Sequence, residues 1–209
     1  MASRRTAAGG LRVKGPALTL RYPSERDVPA LFALASDPRV TRFFSWGPYR
    51  GEVEPRAWVR SLPGRRASGV ALEFAVVDRD DAPIGVVLLG ELSARDRRAV
   101  VGTWLGRAHW GTGANAEAKA LVCALAFRTL RLRRLGAYAD RRNVRSQEAL
   151  ERIGFRCEGT LRDYHRHAGR PRTVLCYSLL YEEWRASPLA AVPAAIGGAV
   201  PRRFRPAGP

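Results

Sequence analysis

Trp104-Leu105-Gly106-Arg107-Ala108-His109-Trp110-Gly111-Thr112-Gly113-Ala114-Asn115-Ala116-Glu117-Ala118 joins a short apolar segment to two glycines and then to a long helical pattern. A strand that turns sharply into a helix leaves the helix's first backbone N–H groups without internal partners. The helix dipole adds partial positive charge at the same place. Such a turn is an anion seat, and a diphosphate suits it. Gly111 and Gly113 let the chain turn and let a ligand approach the main chain. The same residues also describe a plain strand-to-helix turn, so the flanking sequence has to decide between the two readings.

Downstream, residues 116–130 carry Leu121, Val122, Leu125, Ala126 and Leu130 on one broad apolar side, the pattern of a half-buried helix. Residues 134–139 return as a strand, and residues 145–153 form a helix stopped by Gly154. Residues 155–161 and 174–180 are two antiparallel strands around an Ala168-Gly169-Arg170 turn. Upstream, residues 72–77 and 84–89 make a strand pair across Asp78-Arg79-Asp80-Asp81, and a polar turn at 95–98 leads into a strand over 100–105. Before these come a first strand at 18–22 and a helix capped by Ser24 and Asp27, which Asp37-Pro38 stops. A short helix around 53–62 follows. Phe43, Phe44, Trp46 and Tyr49 lie between the two early helices, as a packing layer, a substrate pocket wall, or both. The order predicts an α+β fold: a mixed, mostly antiparallel central sheet with flanking helices.

The chain has 209 residues, 46% hydrophobic and 26% charged, which fits one globular domain with tails. That domain is expected over residues 17–185. Residues 1–16 read as a basic flexible segment and residues 186–209 as a flexible Ala/Pro-rich tail. No apolar run reaches the length of a membrane span and no secretory signal pattern opens the chain, so cytoplasm is the expected location. Cys123, Cys157 and Cys176 form no CxxC or Cys/His cluster, so neither a disulfide framework nor a metal site is indicated. The formal charge is +17, from 36 Lys+Arg against 19 Asp+Glu, and Lys14 and Lys119 are the only lysines. Arginine in such excess attracts phosphates, carboxylates or nucleic acid without choosing among them. Nucleic-acid contact stays a minor reading, because no zinc finger, RNP-like strand pair or helix-turn-helix accompanies the charge.

Several motifs stand in one order: Gly102-Thr103-Trp104-Leu105-Gly106; Trp110-Gly111-Thr112-Gly113 with Glu117-Ala118; Asn143-Val144-Arg145-Ser146; Leu150-Glu151-Arg152-Ile153-Gly154-Phe155; and Glu158-Gly159-Thr160-Leu161-Arg162-Asp163-Tyr164. Together they resemble the Gcn5-related N-acetyltransferase superfamily, especially the branch that acetylates N-terminal amines of ribosomal proteins. The resemblance spans roughly residues 18–184. It implies the acyl-CoA N-acyltransferase fold, in which the strand ending near Leu105 splays away from the one ending near Ala139 and acyl-CoA lies in the opening. The pantetheine arm would then pair with backbone at Trp104, Leu105 and Gly106. The diphosphate would sit over the N–H groups of Trp110, Gly111, Thr112, Gly113, Ala114, Asn115 and Ala116. Asn115 departs from the Gly or Ala usual there and adds bulk beside the phosphates, while Ala116 lacks the hydroxyl of a common threonine.

By the same resemblance Asn143 contacts the cofactor arm and Ser146 lies near the thioester sulfur, placed to protonate the departing thiolate. The spacing alone also fits helix capping by one or both. The implied reaction is direct attack by a neutral amine on acetyl-CoA in a ternary complex, with the Leu105 N–H stabilising the oxyanion. Glu91, Asp163 or His165 would take the ammonium proton, the alternative for His165 being a satisfied surface histidine. The acceptor is a small-molecule amine or a protein N-terminus. Succinyl-CoA acting on a small amine or lysine is a second reading, and a non-catalytic CoA-binding or RNA-associated protein is a third. A homodimer is among the expected assemblies, and neither metal nor membrane is expected.

Overall fold

The computed structural model describes residues 10–167 and 169–206. The chain opens with β1 (Arg12–Lys14) and β2 (Thr19–Arg21), followed by helices α1 (Val28–Ala35), α2 (Pro38–Thr41) and α3 (Val53–Ser68). Next come β3 (Ala71–Val77), β4 (Pro83–Ser93), β5 (Arg98–Leu105), α4 (Ala114–Ala124) and β6 (Arg134–Asp140). It closes with α5 (Val144–Arg152), β7 (Arg156–His167), β8 (Arg170–Leu180), α6 (Tyr181–Arg185), α7 (Pro188–Ala191) and β9 (Ala195–Gly197). One sheet runs in the order β7-β8-β6-β5-β4-β3-β2-β1-β9, and its only parallel pair among the described residues is β5 with β6.

That pair carries the fold's defining irregularity. It matches Arg98 with Arg134, Ala99 with Leu135 and Val100 with Gly136, and then stops. β5 stays on β4 as far as the Leu105–Gly85 pair, while β6 stays on β8 as far as the Asp140–Val174 pair. The strands therefore part beyond Val100 and leave a wedge-shaped gap, the splay the resemblance implied. A parallel pair needs a crossover, and α4 supplies it. Its apolar side continues into a π-helical turn at Leu125–Thr129, so the helix read over 116–130 is two pieces.

The two faces of the sheet are covered differently. Leu121, Val122 and Leu125 join Leu72, Phe74, Val87, Leu89 and Val101 in the main core under α4. On the opposite face Val28, Leu31, Val59 and Val86 form a smaller core with Trp58 and Trp104. The Ser24–Asp27 capping box forms, and Asp27 additionally takes two hydrogen bonds of 2.8 Å from the buried Arg21. α3 runs beyond the expected Leu62, through an interior Pro63, to Ser68, where left-handed Gly69 caps the end.

Both terminal segments depart from expectation where they are described. Leu11 and Val13 are at most 1% exposed, and β1 carries β9 on its outer edge with Val13 opposite Ile196. Leu189 and Phe204 are 5% and 2% exposed. An Ala/Pro/Gly-rich average hid these few apolar anchors, and the alternation Leu11-Arg12-Val13-Lys14 has the period of a strand. Residues 1–9, 207–209 and Ala168 lie outside the described residues. No helix of the described chain is long and apolar enough to cross a membrane.

Candidate active site

The gap is lined by strand ends. The Gly106 N–H donates to Ile84 O at 2.9 Å and so faces β4. Backbone groups alternate sides along a strand, which turns the Leu105 N–H toward the gap. The Leu105 carbonyl on that side is already occupied, since Trp110 Nε1 donates to it at 2.8 Å. The gap thus offers less backbone than the sequence suggested: a donor at Leu105 without its acceptor.

Beyond Gly106 the chain makes a 3-10 turn at Arg107–His109 and then two left-handed residues, Gly111 at φ +77° and Gly113 at φ +88°. Gly113 caps α4. The N–H groups of Gly111, Thr112, Gly113, Asn115 and Ala116 meet no acceptor among the described residues, and Ala114 N–H reaches only Thr112 Oγ1 at 3.4 Å. A Cβ at Gly111 or Gly113 would have nothing within 4 Å, so the seat is open. These donors at a helix start form the concavity that a diphosphate requires. Glu117 points elsewhere, accepting 2.8 Å hydrogen bonds from the N–H groups of Ala17 and Leu18 and tying α4 to the chain between β1 and β2.

The Asn115 side chain runs along the helix rather than over the seat, its Oδ1 accepting from Lys119 Nζ at 3.1 Å. Lys119 is 6% exposed, and burial lowers its ammonium to about 8. Burial likewise raises the neighbouring Cys123 thiol to about 12, which makes Cys123 a packing residue rather than a nucleophile. Sequence reading passed over Lys119, since a lysine within an apolar helical stripe gives no sign of where its charge ends.

α5 faces the loop from the β6 side. Asn143 Oδ1 accepts from the Ser146 N–H at 3.3 Å, so Asn143 does cap the helix. The half-buried Ser146 hydroxyl has no hydrogen bond among the described residues. Arg145, between them, lays its guanidinium 3.2 Å from the centroid of the Trp110 ring. Trp110 thereby joins the two sides of the gap, its indole N–H on the end of β5 and its face under α5. No sequence signal distinguished Arg145 from the other arginines.

On the face away from α4, Trp46 packs edge-on to Trp104 with centroids 5.6 Å apart, and lies 5.4 Å from Phe44 and 5.2 Å from Tyr49. The aromatic loop is therefore a packing layer that also walls the end of β5. Across the gap the Tyr138 and Tyr164 rings are 4.8 Å apart. Burial, then Tyr164 and then the charge of Glu91 raise the Tyr138 hydroxyl. Glu91 and Asp163 both hold left-handed backbone, at φ +49° and +51°. His165 lies on β7, with β8 between it and β6; its ring is 6.3 Å from that of Tyr164, and its Nε2 is buried without a partner among the described residues. The structure thus gathers Trp104, Leu105 and Gly106, the loop through Ala116, Asn143 and Ser146 around one opening, and leaves His165 to its side.

Free N–H groups at a helix start, set beside an interrupted parallel strand pair, make an arrangement able to take a diphosphate and an extended arm. Residues 17–156 match the model of the Acetyltransferase (GNAT) domain, and the chain belongs to that family. An uncharacterized N-acetyltransferase of Bacillus licheniformis, p20, is 32% identical over 168 residues, covering 80% of this chain and 94% of that protein. YdaF of Bacillus subtilis, provisionally named a ribosomal N-acetyltransferase, is 33% identical over 105 residues, covering 50% of this chain and 57% of that one. The crystal structure of a GCN5-related N-acetyltransferase from Brucella melitensis superposes with a TM-score of 0.76 at 26% identity, covering 84% and 80% of the two chains. The family transfers an acyl group from acyl-CoA to an amine, and this chain is one of its N-acetyltransferases.

Proposed function

We propose that the chain moves an acetyl group from acetyl-CoA to the primary amine of a protein N-terminus, by direct attack within one ternary complex. The observation that carries this reading is the row of N–H groups from Gly111 to Ala116, all but that of Ala114 unpartnered among the described residues, beside the gap between β5 and β6. The loop N–H groups hold the diphosphate, and Asn143 and Ser146 border the arm. The Leu105 N–H donates to the thioester carbonyl oxygen as negative charge develops there. Ser146 protonates the departing thiolate, directly or through water. For the ammonium proton the arrangement favours Glu91, whose charge acts directly on the Tyr138 hydroxyl, over His165, whose ring meets Tyr138 only by way of Tyr164. The partial likeness to YdaF and the aromatic wall at Trp46 support a peptide acceptor.

A CoA-release assay tests the proposal, pairing acetyl-CoA and succinyl-CoA with N-terminal peptides, polyamines and aminoglycosides. Turnover is expected with acetyl-CoA and peptides, and the product mass identifies the acyl group. Binding of CoA without turnover on any amine would leave a cofactor-binding protein instead. Ser146→Ala is expected to lower kcat by roughly 10–100-fold while CoA affinity changes less than about threefold. Equal losses in both would reduce Ser146 to a support for α5.

A further inference from the structure

The end of the sheet farthest from the gap gathers positive charge around a cavity. Its volume is about 380 Å³, and Arg95, Arg97, Arg131 and Arg205 line it above Leu130 and Phe204. β5 starts here and ends at the cofactor gap, roughly 25 Å away at about 3.3 Å per strand residue. The 3-10 turn Arg202–Phe204 brings the last arginine in, because buried Phe204 fixes the turn and leaves Arg205 at the rim.

Two features describe this cluster, which shares its exposure with the rest of the arginine-rich surface but concentrates four arginines around one hollow. The first is its lack of compensation. Asp96 pairs with Arg95 at 2.9 Å, but Arg97, Arg131 and Arg205 have no carboxylate within 4.0 Å among the described residues. Guanidinium groups brought together without anions repel one another. The second is backbone strain. Arg97 and Arg131 both occupy the left-handed region, at φ +52° and +54°, where glycine or asparagine costs less. They brace each other: Arg97 Nε donates to Arg131 O at 2.8 Å, and Arg97 O accepts from the Arg133 N–H at 2.6 Å. Arg97 Nε and Arg205 Nε are each held by a main-chain carbonyl, the latter by Val200 O at 3.1 Å, so these guanidinium groups are fixed at the cavity with no carboxylate among the described residues to neutralise them.

We infer that this cavity binds phosphoryl groups, carried by a small polyphosphate or by the backbone of single-stranded RNA, at a site separate from the cofactor gap. The planar donor fork of arginine matches phosphate oxygens, and several such forks around one hollow hold adjacent phosphates. The site gives part of the +17 charge a specific role.

The test is fluorescence anisotropy of a labelled single-stranded RNA oligomer, with sodium tripolyphosphate as competitor. Arg131→Gly with Arg205→Ser removes two charges from the cavity while relieving the strain at 131. Arg162→Ser with Arg166→Ser removes two charges from exposed β7 as a matched control. The cavity double is expected to weaken binding at least about tenfold and to reduce the slope of log K against log salt by about 1.5, while the control weakens it less than about threefold. Unchanged melting and circular dichroism verify folding, and Arg205→Ser alone serves if the double fails that check. Displacement by micromolar tripolyphosphate identifies a small-anion site, and displacement by RNA alone at that concentration identifies the nucleic-acid backbone. Equal weakening by the two doubles, or no binding of either probe, would overturn the proposal.

Discussion

Gly113 illustrates how a single φ angle can govern a binding site. The space around it is empty, so a methyl group would strike no protein atom; the obstacle is the left-handed backbone at φ +88°. Gly113→Ala should therefore cost roughly 1–2 kcal/mol of stability or twist the loop to avoid that cost. Either way the N–H groups lose their common aim, and CoA affinity is expected to fall at least about tenfold in a titration on folded protein. Lys119 shows the opposite economy, a charge kept where burial opposes it. Its ammonium loses its proton near pH 8 when folded but near the usual 10.5 when unfolded. The unfolded chain thus binds more protons between those values, and this residue's contribution makes stability rise with pH there. Lys119→Met is expected to stabilise the protein by roughly 1–3 kcal/mol at pH 7, with the advantage shrinking from pH 8 to 10. Denaturant melts of both proteins across that range measure it.

At the scale of elements, the legible parts were those with a strong period or a defined cap. The β3–β4 hairpin, the start of α4 after two glycines and the α5 helix ended by Gly154 are all where their residues put them. The β1–β9 pairing was not legible, because three-residue strands carry too few alternations to stand out and their partners are about 180 residues apart. The C-terminal turn was lost for a similar reason, a single aromatic anchor within a Pro- and Arg-rich stretch. Phe204→Ala is expected to destabilise the protein by roughly 3–5 kcal/mol, the cost of emptying a buried aromatic site. A thermal melt checks it; no change would mean that the last turn packs without consequence. In the candidate site, backbone features were read more easily than side-chain partnerships. Glycine spacing announces a loop conformation, but nothing in a sequence shows that Arg145 will stack on Trp110 or that Asn115 will turn toward Lys119.

Across the whole molecule, charge and architecture are distributed unevenly. One end of β5 opens into the gap with its row of main-chain donors, and the other meets the arginine cavity. The apolar layers under α4 and under α1 with α3 hold β3, β4 and β5 from both sides, whereas Arg134, Tyr138 and Cys176 on β6 and β8 remain half-buried on the face away from α4. The stretch from residue 17 to residue 156 that defines the family therefore contains the rigid frame and the seat, while the long exposed β7 lies almost wholly beyond it.

Because the β5–β6 ladder is only three residue pairs long, the sheet is in effect two antiparallel leaves stitched at one corner. Amide protons bordering the unstitched seam, in residues 103–105 of one leaf and 138–140 of the other, should exchange with solvent quickly in the empty protein and slow markedly once CoA is added. A guest that fills the seam would complete the missing strand, so occupancy and stiffness of the two leaves would rise together.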